Sequence, residues 1–237
     1  MDPPAQVHTR MRVSQVLLEA QKRLFRCWRA IKYWRLHAKY RTFTMAPAGY
    51  FWHNLLIVDE QRHLGGCVVE CGVWRGGMSA GMAEVLGPDR EYFLFDSFEG
   101  LPPATAIDGA PAVVWQQNTE GASYYDNCRA TADFAERAMK LANVPKYKII
   151  KGWFDETLPG FVPPCPIAIL RLDGDWYEST MTALEALFKY LAPGGIVIVD
   201  DYYAWDGCSR AIHDYLSRHK STTRITQKYG VCILEPR

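Results

Sequence analysis

Two apolar runs in this chain end in clustered aspartates. Ile167–Leu172 is followed by Asp173-Gly174-Asp175, and Ile196–Val199 by Asp200-Asp201. Neighbouring strand ends in one sheet lie roughly 5 Å apart. Three or four carboxylates converging there repel unless they are protonated or neutralised. A hard divalent cation is the usual neutraliser, and oxygen-only ligands suit Mg2+, with waters or substrate completing its shell. Helix capping is the competing use. Asp175, ahead of Glu178-Ser179-Thr180, reads as an N-cap, and Asp201 is open to the same role. Asp173 and Asp200 fit it poorly, because each directly follows what reads as a fully apolar strand.

A second stretch supplies a ligand wall. Val68–Gly77 reads as a buried strand, a Gly72-x-x-x-Gly76-Gly77 turn and a helix start. That order exposes backbone N–H groups to an anionic or nucleotide ligand. The spacing is neither Gly-x-Gly-x-x-Gly nor a phosphate loop with its lysine. Gly72 lets the backbone approach a ligand, and Glu70 either organises the loop or contacts a ligand amine. Asp96 ends the next strand a little over twenty residues on, placed to take both ribose hydroxyls; its alternative is to cap the following turn. A metal beside such a pocket, without a phosphate loop, points to a metal that binds the acceptor. A metal-bound hydroxyl loses its proton more easily, and Asp173 is placed to accept it. This is the logic of metal-assisted O-methylation.

These residues need a sheet to converge. Strands at Cys67–Cys71, Tyr92–Phe95, Lys148–Lys151, Ile167–Leu172 and Ile196–Val199 alternate with helices, and two short strands close the chain about a Lys228-Tyr229-Gly230 turn. That pattern predicts an α/β fold, a parallel sheet with helices on both faces, and ligands bind at the carboxyl ends of such strands. The stretch Ser97–Asp126 shows no clear period. Its Trp115, Tyr124 and Tyr125 either floor an acceptor or pack the loop. Length and a 49% hydrophobic composition suit one such domain at 63–237 plus a helical extension at 1–62.

The extension is basic. Between Arg10 and Arg41 lie ten Lys/Arg and one acid, Glu19, whereas residues 42–237 carry 17 basic and 24 acidic side chains. Val13, Leu17, Ala20, Leu24, Cys27/Trp28, Ile31, Trp34 and Ala38 recur at helical spacing. The expected use is packing against the domain or a second subunit in a homodimer, with contact to an anionic membrane surface as an alternative. The acidic domain offers no basic groove for nucleic acid. Seven scattered cysteines without a Cys-x-x-Cys pair, no signal-peptide h-region and no membrane-length apolar run are expected of a reduced cytoplasmic protein.

Five segments together resemble the macrocin O-methyltransferase family: Val69–Gly77, Asp96–Pro102, Gly152–Pro159, Leu170–Thr180 and Gly194–Tyr202. The resemblance covers roughly residues 66–235. It implies a Rossmann-like class I methyltransferase fold: a mostly parallel seven-stranded sheet with an antiparallel C-terminal strand. It also implies S-adenosylmethionine as methyl donor, Mg2+, and a sugar hydroxyl of a natural product or glycan as acceptor. By position, Glu70 and Gly72 fall at the methionine end of the donor, and Gly76 also belongs to the cofactor-binding set. Asp96 and Ser97 fall at its ribose, and Gly152 and Trp153 near its adenine. Asp173, Asp200 and Asp201 match the metal ligands, with Asp173 also the base; His213, in the helix after the fifth strand, is the alternative base. The basic Trp-rich extension and the loop after Pro102 depart from the family pattern, so the acceptor does not carry over. Two other readings stand beside this one: an NAD-dependent oxidoreductase, against which the missing Gly-x-Gly-x-x-Gly and Tyr-x-x-x-Lys count, and a non-catalytic binding protein acting through the basic helix.

Overall fold

The computed structural model describes residues 31–237. Most of the expected basic helix lies outside them. Its described end is a helix over 31–40 (α1), followed by α2 (Ala48–Glu60), β1 (Cys67–Cys71) and α3 (Gly77–Leu86). Then come β2 (Tyr92–Asp96), α4 (Ala110–Gln117), α5 (Ala132–Leu141), β3 (Tyr147–Lys151) and α6 (Phe154–Thr157). The chain ends with β4 (Ile167–Leu172), α7 (Tyr177–Leu187), β5 (Leu191–Val199), α8 (Asp206–Arg218), β6 (Arg224–Lys228) and β7 (Val231–Glu235).

The seven strands form one sheet in the order β3-β2-β1-β4-β5-β7-β6. β1 to β5 pair in parallel; β7 is antiparallel to both its neighbours. This is the expected Rossmann-like fold. β1 lies between β2 and β4, so the winding reverses there, and in such sheets the crevice opens at that point. Alternate residues of each strand enter opposite layers. Val68, Ile169, Ile196 and Ile198 pack with Phe51, Leu55, Met82 and Met139 on the α2–α3–α5 side. Val69, Leu170, Leu172, Val197 and Val199 pack with Met181, Leu184 and Ile212 on the α7–α8 side.

Three expectations about elements change. In α1 the buried face is Tyr33, Leu36 and Tyr40, whereas Ile31 and Trp34 are exposed. Tyrosine buries its ring and keeps a polar handle; Tyr40 Oη donates to Glu84 at 2.9 Å. In the aperiodic stretch, Ala110–Gln117 is helical although it buries only Ala112. Trp115 packs on Trp176 and Trp205, and Gln116 bonds Pro102 and Asn127, so tertiary contacts stabilise a helix that its valines do not favour. The sequence pattern places the next helix over about Cys128–Leu141; it starts at Ala132, because Tyr125–Cys128 all take left-handed φ angles of 43° to 59°.

Candidate active site

The strand ends meet one cavity of about 640 Å3. Its first half is built by backbone. Gly72 N–H donates to Phe95 O and Asp173 N–H to Cys71 O, so β1 and β4 stay in register as they leave the sheet. A Cβ on Gly72 would stand 1.7 Å from the Asp173 carbonyl oxygen, and φ is +90°; no other residue fits. Asp96 Oδ2 accepts the N–H groups of Val73 (2.7 Å) and Trp74 (2.8 Å), and Oδ1 that of Phe98 (2.6 Å). Asp96 thus organises the glycine turn while lining the cavity. Burial raises its pKa, and those three bonds oppose the shift. Ser97 Oγ donates to Gly100 O at 3.1 Å and, with Trp153, also lines the cavity. Gly152 and Gly76 lie outside the lining. Gly76 is a packing glycine: a Cβ there would stand 2.8 Å from Ala135 Cα.

The second half is built by charge. β4 is not fully apolar: Arg171 sits one residue from its end and is 1% exposed. Its Nη1 donates to Glu70 Oε1 (2.8 Å) and Asp173 Oδ2 (2.7 Å), and its Nη2 to Asp200 Oδ1. Glu70 is also bonded by Ser79 Oγ. These contacts tie Glu70 to the end of β4 and to α3, and it also lines the cavity, so both of its expected roles stay open; burial pushes its carboxyl up to about 7 against the pull of Arg171. Asp173, Asp175 and Asp201 bring carboxylate oxygens within 4.8 Å of one another. Asp200 is not in that group.

The capping role expected for Asp175 is not what the structure shows. Helix α7 has Trp176 at its N-cap without a side-chain bond, and Tyr177 N–H is taken by Asp108 Oδ1 (2.7 Å) from the loop. Asp175 instead accepts Trp205 Nε1–H at 3.0 Å and gives its backbone N–H to Asp201 Oδ2 at 3.1 Å. Asp201 does not cap α8 by its side chain either. Burial and mutual repulsion push Asp175 up to about 7 and Asp200 to about 8, with Asp201 also well above its ordinary value. Oxygen donors in such excess over nearby positive charge fit a hard cation. The first half fits a nucleoside-bearing cofactor, with a glycine turn, a carboxylate and an aromatic side chain on one wall.

Some site residues were not anticipated. Phe43, Thr44, Met45, Ala46, Pro47 and Tyr50 form a wall, and Tyr50 Oη donates to the Asp200 carbonyl at 3.0 Å. Nothing in that stretch announces a ligand. Arg171 did carry a signal: one basic residue in an apolar run, two positions before Asp173. Trp115, Tyr124 and Tyr125 lie outside the lining; Trp115 packs on Tyr124, and Tyr125 on Trp74. His213 is exposed on α8, bonded to Tyr202 Oη at 2.9 Å, and away from the lining.

The family model described as Macrocin-O-methyltransferase (TylF) matches residues 55–234. A Streptomyces olivaceus protein, 8-demethyl-8-(2,3-dimethoxy-alpha-L-rhamnosyl)-tetracenomycin-C 4'-O-methyltransferase, is 41% identical over 172 residues, 70% of this chain and 63% of its own length. Mycinamicin III 3''-O-methyltransferase of Micromonospora griseorubida is 32% identical over 169 residues, 68% and 65% of the two chains. The chain thus spans less than two thirds of the length of these relatives. The solved O-methyltransferase NovP superposes with a TM-score of 0.68 at 27% identity over 82% of each chain. The calicheamicin methyltransferase CalS11 shares the fold, with a TM-score of 0.60 at 20% identity over 86% of this chain and 91% of its own.

Proposed function

Because the chain belongs to the macrocin O-methyltransferase family, we propose that it transfers a methyl group from S-adenosylmethionine to a hydroxyl of a small molecule, a sugar of a natural product or glycan, with Mg2+ as cofactor. The observation that carries this reading is that the glycine-turn wall and the acid cluster share one cavity. Gly72 and its turn offer a surface for the methionine end of the donor, Asp96 and Ser97 for the ribose, and Trp153 for the adenine. Asp173 and Asp201 belong both to the set expected from the sequence and to the close group in the structure. We take them as the core metal ligands, flanked by Asp200 and Asp175. Bound Mg2+ supplies Lewis acidity that eases loss of a hydroxyl proton. Asp173, with Oδ2 held by Arg171, has Oδ1 left to receive that proton. Tyr50 and residues 43–47 exclude water from that side and shape the acceptor space.

Calorimetry with S-adenosylhomocysteine and a methyl-transfer assay on deoxysugar glycosides, with and without chelator, test the proposal. Binding is expected, with turnover lost on chelation and restored by Mg2+. A chain that does not bind S-adenosylhomocysteine has another cofactor, and turnover indifferent to chelation removes the metal.

A further inference from the structure

Period two decides which side chains meet at the strand ends. Glu70 lies opposite Arg171 in the β1–β4 register, and Arg171 opposite Ile198 of β5. Asp173 and Asp200 stand two residues beyond Arg171 and Ile198, so the pleat directs all four polar side chains to one face. Arg171 and Glu70 are the buried members at 1% and 2% exposure, while Asp173 and Asp200 keep 34% and 20% of their side chains accessible; all four border the cavity. The guanidinium therefore reaches both acids from the buried base of the cavity. Glu70 anchors Nη1 from the donor side, and Asn54 Oδ1 of α2 stands 3.5 Å from Nε.

We infer that Arg171 is a positioning residue for the transfer reaction. Its fork takes one oxygen from Asp173 and one from Asp200, and so fixes how the other oxygen of each is offered to a divalent cation and acceptor in the cavity. The inference rests on the methyl-transfer reading above. A planar fork with fixed donors can hold Glu70, Asp173 and Asp200 at once; a lysine ammonium of the same charge is a single point on a flexible stem. Groups that orient metal-binding carboxylates from the outer layer typically change metal affinity 10–100-fold when replaced.

Arg171→Lys is the test, because it keeps the charge and removes the fork. The full chain is saturated with S-adenosylhomocysteine and titrated with Mn2+, followed by electron paramagnetic resonance. S-adenosylhomocysteine is expected to bind within about threefold of wild type, because Asp96 and the glycine turn hold together without Arg171. Mn2+ is expected to bind about 10–100-fold more weakly. The apparent kcat should fall and recover in part as Mn2+ is raised, with KM for S-adenosylmethionine unchanged. Mn2+ affinity within threefold of wild type overturns the inference. Should the variant fail to fold, a crystal structure of the wild type with Mn2+ decides. Asp173 and Asp200 each touching Arg171 through one oxygen supports the inference, and a metal that strips Arg171 from either acid overturns it. A wild-type chain that binds neither S-adenosylhomocysteine nor Mn2+ overturns the methyl-transfer reading itself, a result distinct from either.

Discussion

The two halves of the cavity hold their carboxylates in opposite ways. At the ends of β1 and β2, Asp96 is satisfied by three backbone N–H groups, so its partners exist wherever the turn is formed. At the ends of β4 and β5, Asp173 and Asp200 share one buried guanidinium, while Asp175 and Asp201 have no Lys or Arg partner among the described ion pairs. The first half is complete as folded. The second is left with a surplus of negative charge, which low local dielectric makes costly. A wall that must grip one ligand in one pose benefits from rigidity. On the proposed reading, a centre that takes up a cation and passes on a proton benefits from charge that is not fully spent.

The contrast is broken most severely at Asp173. Asp173→Asn should lower turnover by about three orders of magnitude or more, because the metal-binding and proton-accepting roles proposed for Asp173 would be lost together. S-adenosylhomocysteine affinity, measured by calorimetry, should stay within about threefold. Loss of both would mean that the halves are not separable. Asp96→Asn probes the other side. An amide presents its NH2 to at least one backbone N–H that the carboxylate accepted, at a cost of about 2–4 kcal/mol. Thermal unfolding should drop by roughly 5–15 °C and S-adenosylhomocysteine affinity by about tenfold, both larger than the stability change in Asp173→Asn.

A third outcome concerns pH. Burial raises Asp175 to about 7 and Asp200 to about 8 in the folded chain, above ordinary aspartate. Between the ordinary value and these, the native state holds more protons than the unfolded one. The contribution of these two acids to metal-free stability is therefore greatest in acid and is lost as pH rises through about 7 to 8. Mg2+ competes with those protons, so its stabilisation should grow between about pH 6 and pH 8.5 in calorimetric melts. A Mg2+ shift independent of pH would separate the ion from these acids. The smallest effect is expected of His213→Ala, within about twofold in kcat, since the ring faces Tyr202 on the outside of α8.

What the sequence disclosed follows the same division. β1, β4 and the end of β2 were legible because buried parallel strands are nearly continuous apolar runs, broken here only by Glu70 and Arg171, that stop at Gly72, Asp173 and Asp96. The acid-rich end was legible as composition but not as pairing. Arg171 was absorbed into an apolar run, although the pleat places it with Glu70 and Asp173. Asp175 resembled a cap because caps are read from neighbours, whereas the group that meets Tyr177 N–H is Asp108, 69 residues away. The left-handed turn at Tyr125–Cys128 has only a weak local signature, Asp126-Asn127, residue types that tolerate positive φ. It is held by Asn127, whose side chain donates to Leu101 O and accepts from Gln116, residues drawn in only by the finished fold.

The wall of Phe43–Pro47 and Tyr50 has a consequence of another kind. It precedes residue 55, where the family match begins, whereas the glycine turn and all four aspartates lie after it. Floor and ceiling of the same chamber are thus written in separate stretches of the chain. They meet through the bond from Tyr50 to the backbone of Asp200, the bond from Gly77 N–H to Phe43 O, and the packing of the Phe43 ring on Phe134. On the proposed reading, exchanging side chains of these six ceiling residues while keeping those two bonds would reshape the acceptor space without altering the glycine turn or the aspartates, so new selectivity needs no new chemistry.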